Sequence, residues 1–383
     1  MYDLILYDTS NFQDFPMGGQ LTSIRNFLKY IADRRREYAE HILLVGITNL
    51  SQDVGQIHRI QVEGVEFNFL PVLVRGTDLA NVQKSLRLEY VKALLRNGKL
   101  IPCDKKSLHY IHTPEAYIAV KLMHPMARTA VFSHGSFFNM VQGFRFFRKN
   151  KVVHFCFEKF LGVLLKTADM LFVLDEETAA QYRKYNKNVY RVENSIVLPG
   201  EIPARTKCHE PIQLLFVGRL SRVKGIGGII EAVANMQGQA HLTIVGDGEE
   251  RAALEGLVQE KGLEAQVRLV GGRTPDEVQR YYRECDILVM NSVVEGKPMV
   301  ILEAMSYGMP VVTTPVGGIP EMITEGQTGE FADGTWETIV DKVLRVREDY
   351  EVYADEALRN IRKYSYVSAN ERVWRYLQSR KDG

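Results

Sequence analysis

Short apolar runs alternate with segments of helical period along nearly the whole chain. In the first half the runs are Leu4–Tyr7, Ile42–Ile47, His109–Ile111, Ala130–Ser133 and Leu171–Leu174. In the second they are Leu214–Val217, Leu242–Val245, Val267–Val270, Ile287–Met290 and Val311–Thr313. Many contain no polar residue, the mark of parallel strands covered by helices on both faces. Helical patterns fill the gaps, among them Leu21–Ile31, Ile229–Met236 and the charged stretch Asp349–Ser379. From Pro199-Gly200-Glu201-Ile202-Pro203 to Pro211 the period is lost, and the stretch reads as a linker. The expected fold class is α/β, with two Rossmann-like doubly wound domains. Residues 1–198 form the first, 199–211 the linker, 212–365 the second, and 366–383 a C-terminal helix returning to the first.

Composition narrows the picture. A chain of 383 residues has room for two ordinary domains, and 45% hydrophobic with 25% charged residues suits a globular enzyme. A net charge of +1 argues against a protein that coats nucleic acid, so no nucleic-acid partner is expected. Cys103, Cys156, Cys208 and Cys285 show no CxxC spacing, so neither a zinc knuckle nor a dithiol site is indicated. Charges interrupt the first apolar run, MYDLILYD, which reads as a strand rather than a signal peptide. No apolar run reaches the roughly 18 to 20 residues that span a bilayer. A cytoplasmic protein is expected, with peripheral contact at the inner membrane face left open.

In open parallel sheets, ligands bind beyond the carboxyl ends of the strands, so the turns there are the places to search. After Val217 comes Gly218-Arg219-Leu220-Ser221-Arg222-Val223-Lys224-Gly225, a basic turn leading into a helix. It is either a solvated turn or a cradle for a diphosphate, since a helix N-terminus and a planar guanidinium both favour phosphate oxygens. After Ile287–Met290 come Asn291-Ser292, then Glu295-Gly296-Lys297, then Pro298 suited to a helix start and Gly308 suited to its end. Glu303 is the only ionisable side chain inside that apolar helix. A buried carboxylate needs a partner: a cation within the protein, or ligand hydroxyls such as those of a ribose. Glu295, eight residues earlier, stands where it could accept sugar hydroxyls. Gly317-Gly318, after Val311–Thr313, could bring backbone N–H groups near a phosphate or simply make a tight turn.

The ordered set FVGRLSRVKG, LTIVGDGEERAALE, VRLVGG, DEVQRYYRECDILVMNS, EGKPMVILEAMSYGMPVV, GGIPEMI and TGEFAD resembles the retaining glycosyltransferases of family 4. The resemblance covers most of 212–332, and Glu295 and Glu303 match that family's Glu-x7-Glu motif. It implies the GT-B fold, two such domains facing a cleft. It also implies that Arg219 and Lys224 hold the diphosphate, that Glu303 takes the ribose hydroxyls and that Glu295 faces the donor sugar. Gly296, Met299 and Val300 would approach the donor, and the base would lie near Arg268 to Gly271. The first domain matches more weakly. Gly18 and Gly19 resemble the family's glycine loop, and His134 its cleft histidine, contacting donor sugar or acceptor. His112 reads as structural. Asn194-Ser195-Ile196-Val197 departs from the Asn-Gly-x-Asp of many relatives, and Lys297 replaces a hydrophobic residue, to meet an acidic donor group or solvent.

The expected activity is transfer of a sugar from a nucleotide-diphosphate sugar, a UDP-sugar by preference, to a glycan or lipid-linked acceptor. Retention at the anomeric carbon is what the resemblance implies. No Asp-x-Asp pair occurs, so no obligatory metal and no cofactor are expected. The alternatives are a nucleotide-sugar epimerase, a sugar phosphorylase or a non-catalytic partner of the same fold. Phe144–Lys166 carries six Lys/Arg against one Glu among many aromatics. Either it meets an anionic membrane, or Phe155, Phe157, Phe160 and Leu164 form the core face of a helix.

Overall fold

A computed structural model describes residues 2–13, 19–74, 86–102, 104, 106–134, 151–202 and 204–379. Gly18 and the stretch 144–150 lie outside the described residues, as does the side chain of Phe157. The chain forms two compact units: Met1–Ser195 with Tyr366–Gly383, and Ile196–Ser365.

In the first unit the strands are β1 (Leu4–Tyr7), β2 (Ile42–Thr48), β3 (His58–Val62), β4 (Val65–Val74), β5 (Leu108–Ile111), β6 (Arg128–Ser133), β7 (Met170–Val173) and β8 (Val189–Arg191). They lie in the order β3-β4-β2-β1-β5-β6-β7-β8, parallel except for the antiparallel β3–β4 hairpin at one edge. The helices are α1 (Gly19–Arg34), α2 (Leu86–Asn97), α3 (Pro114–Met123), α4 (Lys151–Lys166) and α5 (Glu176–Arg183). Alternation along β1 splits the core. Leu4 and Leu6 join one apolar layer with Phe27 and Leu28 of α1, while Ile5 and Tyr7 join the other with Tyr117 and Val120 of α3. Each fully buried side chain of this size contributes about 1.5–3 kcal/mol, so two filled layers fix which face each strand residue takes.

In the second unit the strands are β9 (Ile212–Val217), β10 (Ala240–Val245), β11 (Val267–Gly271), β12 (Ile287–Val289), β13 (Val311–Thr313) and β14 (Gly329–Phe331). All neighbours are parallel, in the order β11-β10-β9-β12-β13-β14. The helices are α6 (Ile226–Asn235), α7 (Arg251–Glu260), α8 (Pro275–Glu284), α9 (Met299–Ser306), α10 (Trp336–Glu348) and α11 (Tyr350–Ile361). The strand order reverses between β9 and β12, where a doubly wound sheet opens its crevice. In the first unit the equivalent point lies between β1 and β5.

The last helix, α12 (Tyr366–Gln378), packs Val373, Trp374 and Leu377 into the layer that holds α1. Residues 199–211, read as a linker, belong instead to the second unit. Arg205 pins them there, donating to the carbonyls of Tyr282, Cys285 and Tyr307 and to the Tyr350 hydroxyl. Those carbonyls close α8 and α9, where helix ends leave acceptors unpaired, and the guanidinium fork supplies the missing donors.

Candidate functional site

The residues singled out in the second unit gather at its switch point. Gly218–Gly225 leaves β9, and Asn291–Pro298 leaves β12. Backbone bonds stitch the rim together: Val293 N–H to Val223 O (2.8 Å), Leu220 N–H to Asp247 O (2.9 Å) and Gly318 N–H to Gly296 O (2.8 Å). Asn291, nearly buried, donates to the carbonyls of Gly225 and Gly334 at 3.2 Å each. Gly225 has φ +58°, and a Cβ there would meet Asn291 O at 2.2 Å. Gly317 has φ +57°, and its Cβ would meet Glu295 O at 2.0 Å. Only glycine allows both approaches, so the basic turn, the acidic loop and the turn after β13 fit as one surface.

On that surface Lys224 Nζ lies 2.5 Å from Glu295 Oε1, which also accepts from Ser292 Oγ at 2.7 Å. Arg219 is exposed and, among the described residues, meets no carboxylate. The helix α9 follows Pro298 with no side-chain cap, so the N–H groups of Met299 and Val300 open its first turn unshielded. Gly296 is exposed beside them.

Glu303 has no cation partner among the described residues. Its Oε2 accepts from the Tyr282 hydroxyl of α8 at 2.7 Å, with no cation in the pair. Burial raises its pKa above the usual carboxylate value, and the tyrosine bond opposes this only in part. The carboxyl is thus held poorly compensated, with capacity for further donors.

One placement differs from expectation. Lys297 points neither to solvent nor to open space for an acidic ligand group. Its side chain is buried and its Nζ lies 2.8 Å from Glu321 Oε2. Arg268 stands opposite Thr243, three residues before Gly271 at the strand end. At ~3.3 Å per residue that sets its backbone roughly 10 Å back from the rim. Val270 and Gly271, in the same Arg268–Gly271 stretch expected near the base, reach the rim.

In the first unit, Gly19 opens α1. His134, just beyond β6, lies with its Nε2 3.0 Å from Nδ1 of His112, just beyond β5. Burial lowers both pKa values, His134 to about 3 with the Arg87 charge assisting, so both rings are neutral. Sequence reading missed Asp8, at the end of β1. Its buried carboxyl accepts from Ser10, Gln20 and, at 3.0 Å, Thr113. Gln20 also donates to His112 O at 3.3 Å, tying the start of α1 to the end of β5. The signal was available: Asp8 directly follows an all-apolar run. Tyr282 and Ser292 were missed as well, because a tyrosine on an amphipathic helix reads as core and a serine after a strand reads as turn.

Residues 201–367 match the family of glycosyl transferases group 1. Over 154 residues the chain is 34% identical to the amylovoran biosynthesis glycosyltransferase AmsK of Erwinia amylovora, covering 38% of each chain. Over 205 residues it is 32% identical to the sulfoquinovosyl transferase SQD2 of Arabidopsis thaliana, covering 51% of this chain and 39% of that one. The chain thus spans about four tenths of the length of these relatives. Among solved structures, sucrose-phosphate synthase from Thermosynechococcus elongatus superposes with a TM-score of 0.76 at 17% identity over 98% of both chains. Anabaena HepE in complex with UDP and glucose superposes with a TM-score of 0.69 at 17% identity, over 98% of this chain and 99% of that one. The two-unit α/β architecture is that of GT-B glycosyltransferases.

Proposed function

We propose that this chain, whose residues 201–367 belong to the glycosyl transferases group 1 family, is a retaining glycosyltransferase. It moves a sugar from a nucleotide-diphosphate sugar to a glycan or lipid-linked acceptor in glycoconjugate synthesis. The observation that carries this reading is the Lys224–Glu295 pair at the sheet's switch point, between the turn that also holds Arg219 and the uncapped helix α9 that holds Glu303. The donor diphosphate lies over Arg219, Lys224 and the first turn of α9. Glu303, which lacks a cation, takes the ribose hydroxyls beside Tyr282. Glu295 accepts from the transferred sugar. A UDP donor is favoured because a solved relative of the same fold was captured with UDP and glucose.

As the bond from the anomeric carbon to the diphosphate breaks, negative charge grows on the phosphate. Arg219, Lys224 and the helix dipole stabilise it without an obligatory metal. The departing phosphate receives the acceptor's proton, and attack from the leaving-group face retains configuration. His134 and the groups around Asp8 lie at the first unit's own switch point, where the acceptor or donor sugar is bound.

Peripheral membrane contact is part of the proposal. Phe155, Phe160 and Val163 of α4 are 58%, 48% and 62% exposed, with Lys159 beside Phe155 and Lys166 at the helix end. Phe155 and Phe160 are therefore not core residues, whereas Leu164 packs against the core. Among the described residues no helix is long and apolar enough to cross a membrane.

Thermal shift against a nucleotide panel tests the donor site, and mass spectrometry of products from a panel of nucleotide sugars tests the transfer. If no nucleoside diphosphate stabilises the protein, the reading fails.

A further inference from the structure

Two histidines share one hydrogen bond in the first unit, and the chemistry of that bond assigns a proton. His112 is 2% exposed. Its ring lies 13° from the plane of Phe132, with centroids 5.1 Å apart, and meets Tyr110 edge-on at 4.4 Å. Such packing fixes the plane of the ring. The His134 ring lies beside it, with centroids 5.3 Å apart and planes 29° apart, and stacks against Phe132 at 4.5 Å. Between His112 Nδ1 and His134 Nε2, 3.0 Å apart, there is room for one proton.

The donor is decided by the remaining nitrogen of His112. Its Nε2 is buried and, among the described residues, has no hydrogen-bond partner. If His134 donated, His112 would carry its own proton on Nε2, a buried N–H with no acceptor. Orphaned buried donors are rarer than under-used buried acceptors. The lower-cost arrangement puts the proton on His112 Nδ1, leaving only a bare acceptor at Nε2. His134 then accepts at Nε2 and must carry its own proton on Nδ1.

We propose that His112 is a positioning residue that locks His134 as the neutral Nδ1–H tautomer, so that His134 offers a hydrogen-bond donor at the end of β6. His134 then acts on a sugar hydroxyl or phosphate oxygen as a donor, and neither as a general base nor as a cation. This consequence rests on the proposed contact of His134 with substrate; the tautomer itself does not.

The test is a long-range ¹H–¹⁵N correlation spectrum of the histidine rings in the full chain. The nine histidines are separated by comparison with a His134→Gln sample. The expected wild-type signal for His134 has a protonated Nδ1 and an unprotonated Nε2, unchanged from pH 8 to pH 5. His112→Phe keeps an aromatic ring in place but removes the donor, and His134 should revert to the Nε2–H form that a free histidine side chain favours. His112→Asn, whose amide stands near the position of Nδ1, should restore the wild-type signature. A wild-type Nε2–H or doubly protonated ring overturns the proposal, as does a signature indifferent to His112→Phe. The functional reading fails separately, if His134→Ala leaves UDP release from a UDP-sugar panel unchanged while the tautomer stands.

Discussion

Lys224 and Glu295 are paired at 2.5 Å, so the cation proposed to hold a diphosphate and the acid proposed to face a sugar hold each other. A ligand phosphate must compete with a carboxylate already in contact with that lysine. Glu295→Gln should free Lys224 and remove a nearby negative charge. It is expected to bind UDP several-fold to about tenfold more tightly, roughly 1 kcal/mol, while transfer slows. Titration calorimetry with UDP measures it, and weaker binding would mean that Glu295 does not oppose the diphosphate.

Lys224→Ala should lower turnover about 100-fold or more, the usual cost of removing one charge that meets a developing oxyanion. Stability should change by only about 1–2 kcal/mol, because Glu295 keeps its bond from Ser292. Turnover and urea denaturation on the same preparation separate the two effects. Unaltered turnover would remove Lys224 from the mechanism.

Glu303 has a raised pKa, and that fixes the sign of a pH effect. Its protonated form contributes stability fully below the unfolded value near 4.5, and the contribution is lost as pH rises through the higher folded value. Glu303→Gln keeps an acceptor for Tyr282 and cannot ionise. It should melt close to wild type at pH 4 and above it at pH 7.5, while binding UDP about 10- to 100-fold more weakly. A melting series over pH, with calorimetry at pH 7.5, checks both halves. Equal melting at both pH values would show that the carboxyl is well compensated.

The histidine pair acts in the opposite direction. Both folded pKa values are depressed, so their contribution is present above the unfolded value near 6.5 and is lost as pH falls below it. Each ring should add up to about 1.4 kcal/mol of lost stability per pH unit in that window. Urea titrations from pH 8 to pH 5 should give a shallower slope for His112→Phe than for wild type. An equal slope would mean that His112 titrates freely.

Gly225→Ala should disrupt the rim without touching a charged group. A left-handed backbone costs a side chain about 1–2 kcal/mol, and the contact with Asn291 O adds to that. The expected result is a lower melting temperature together with weakened UDP binding. A variant that keeps both would show that the turn after β9 can relax away from Asn291.

Much of the fold was legible because its central strands are buried on both faces. β1, β2 and β7 have every residue buried, and an unbroken apolar run is what such burial requires. β3 and β4 escaped notice because one face of the hairpin is exposed, which mixes Arg59, Gln61 and Glu66 into the run. The turn between them places Glu63 at φ +50°, a conformation its side chain does not advertise. β8 and β14, three residues each, are too short to show a period. In the site, Arg219, Lys224, Glu295 and Glu303 could be found because each follows a strand or interrupts an apolar helix. Tyr282 and Glu321, the partner of the buried Lys297, could not, since they come from other elements whose approach depends on packing.

The main-chain bridge between Ile196 and Ser365, with Ile196 N–H bonded to Tyr364 O at 2.9 Å, has a consequence for ancestry. The second unit is one uninterrupted segment whose two ends meet side by side, set into the first between Ser195 and Tyr366. The matched segment 201–367 nearly coincides with it. A segment that enters and leaves at one place can be exchanged as a cassette with a single pair of junctions. Donor recognition can then be replaced wholesale while the β1–β5 crevice, with Asp8 and the histidine pair, is inherited unchanged.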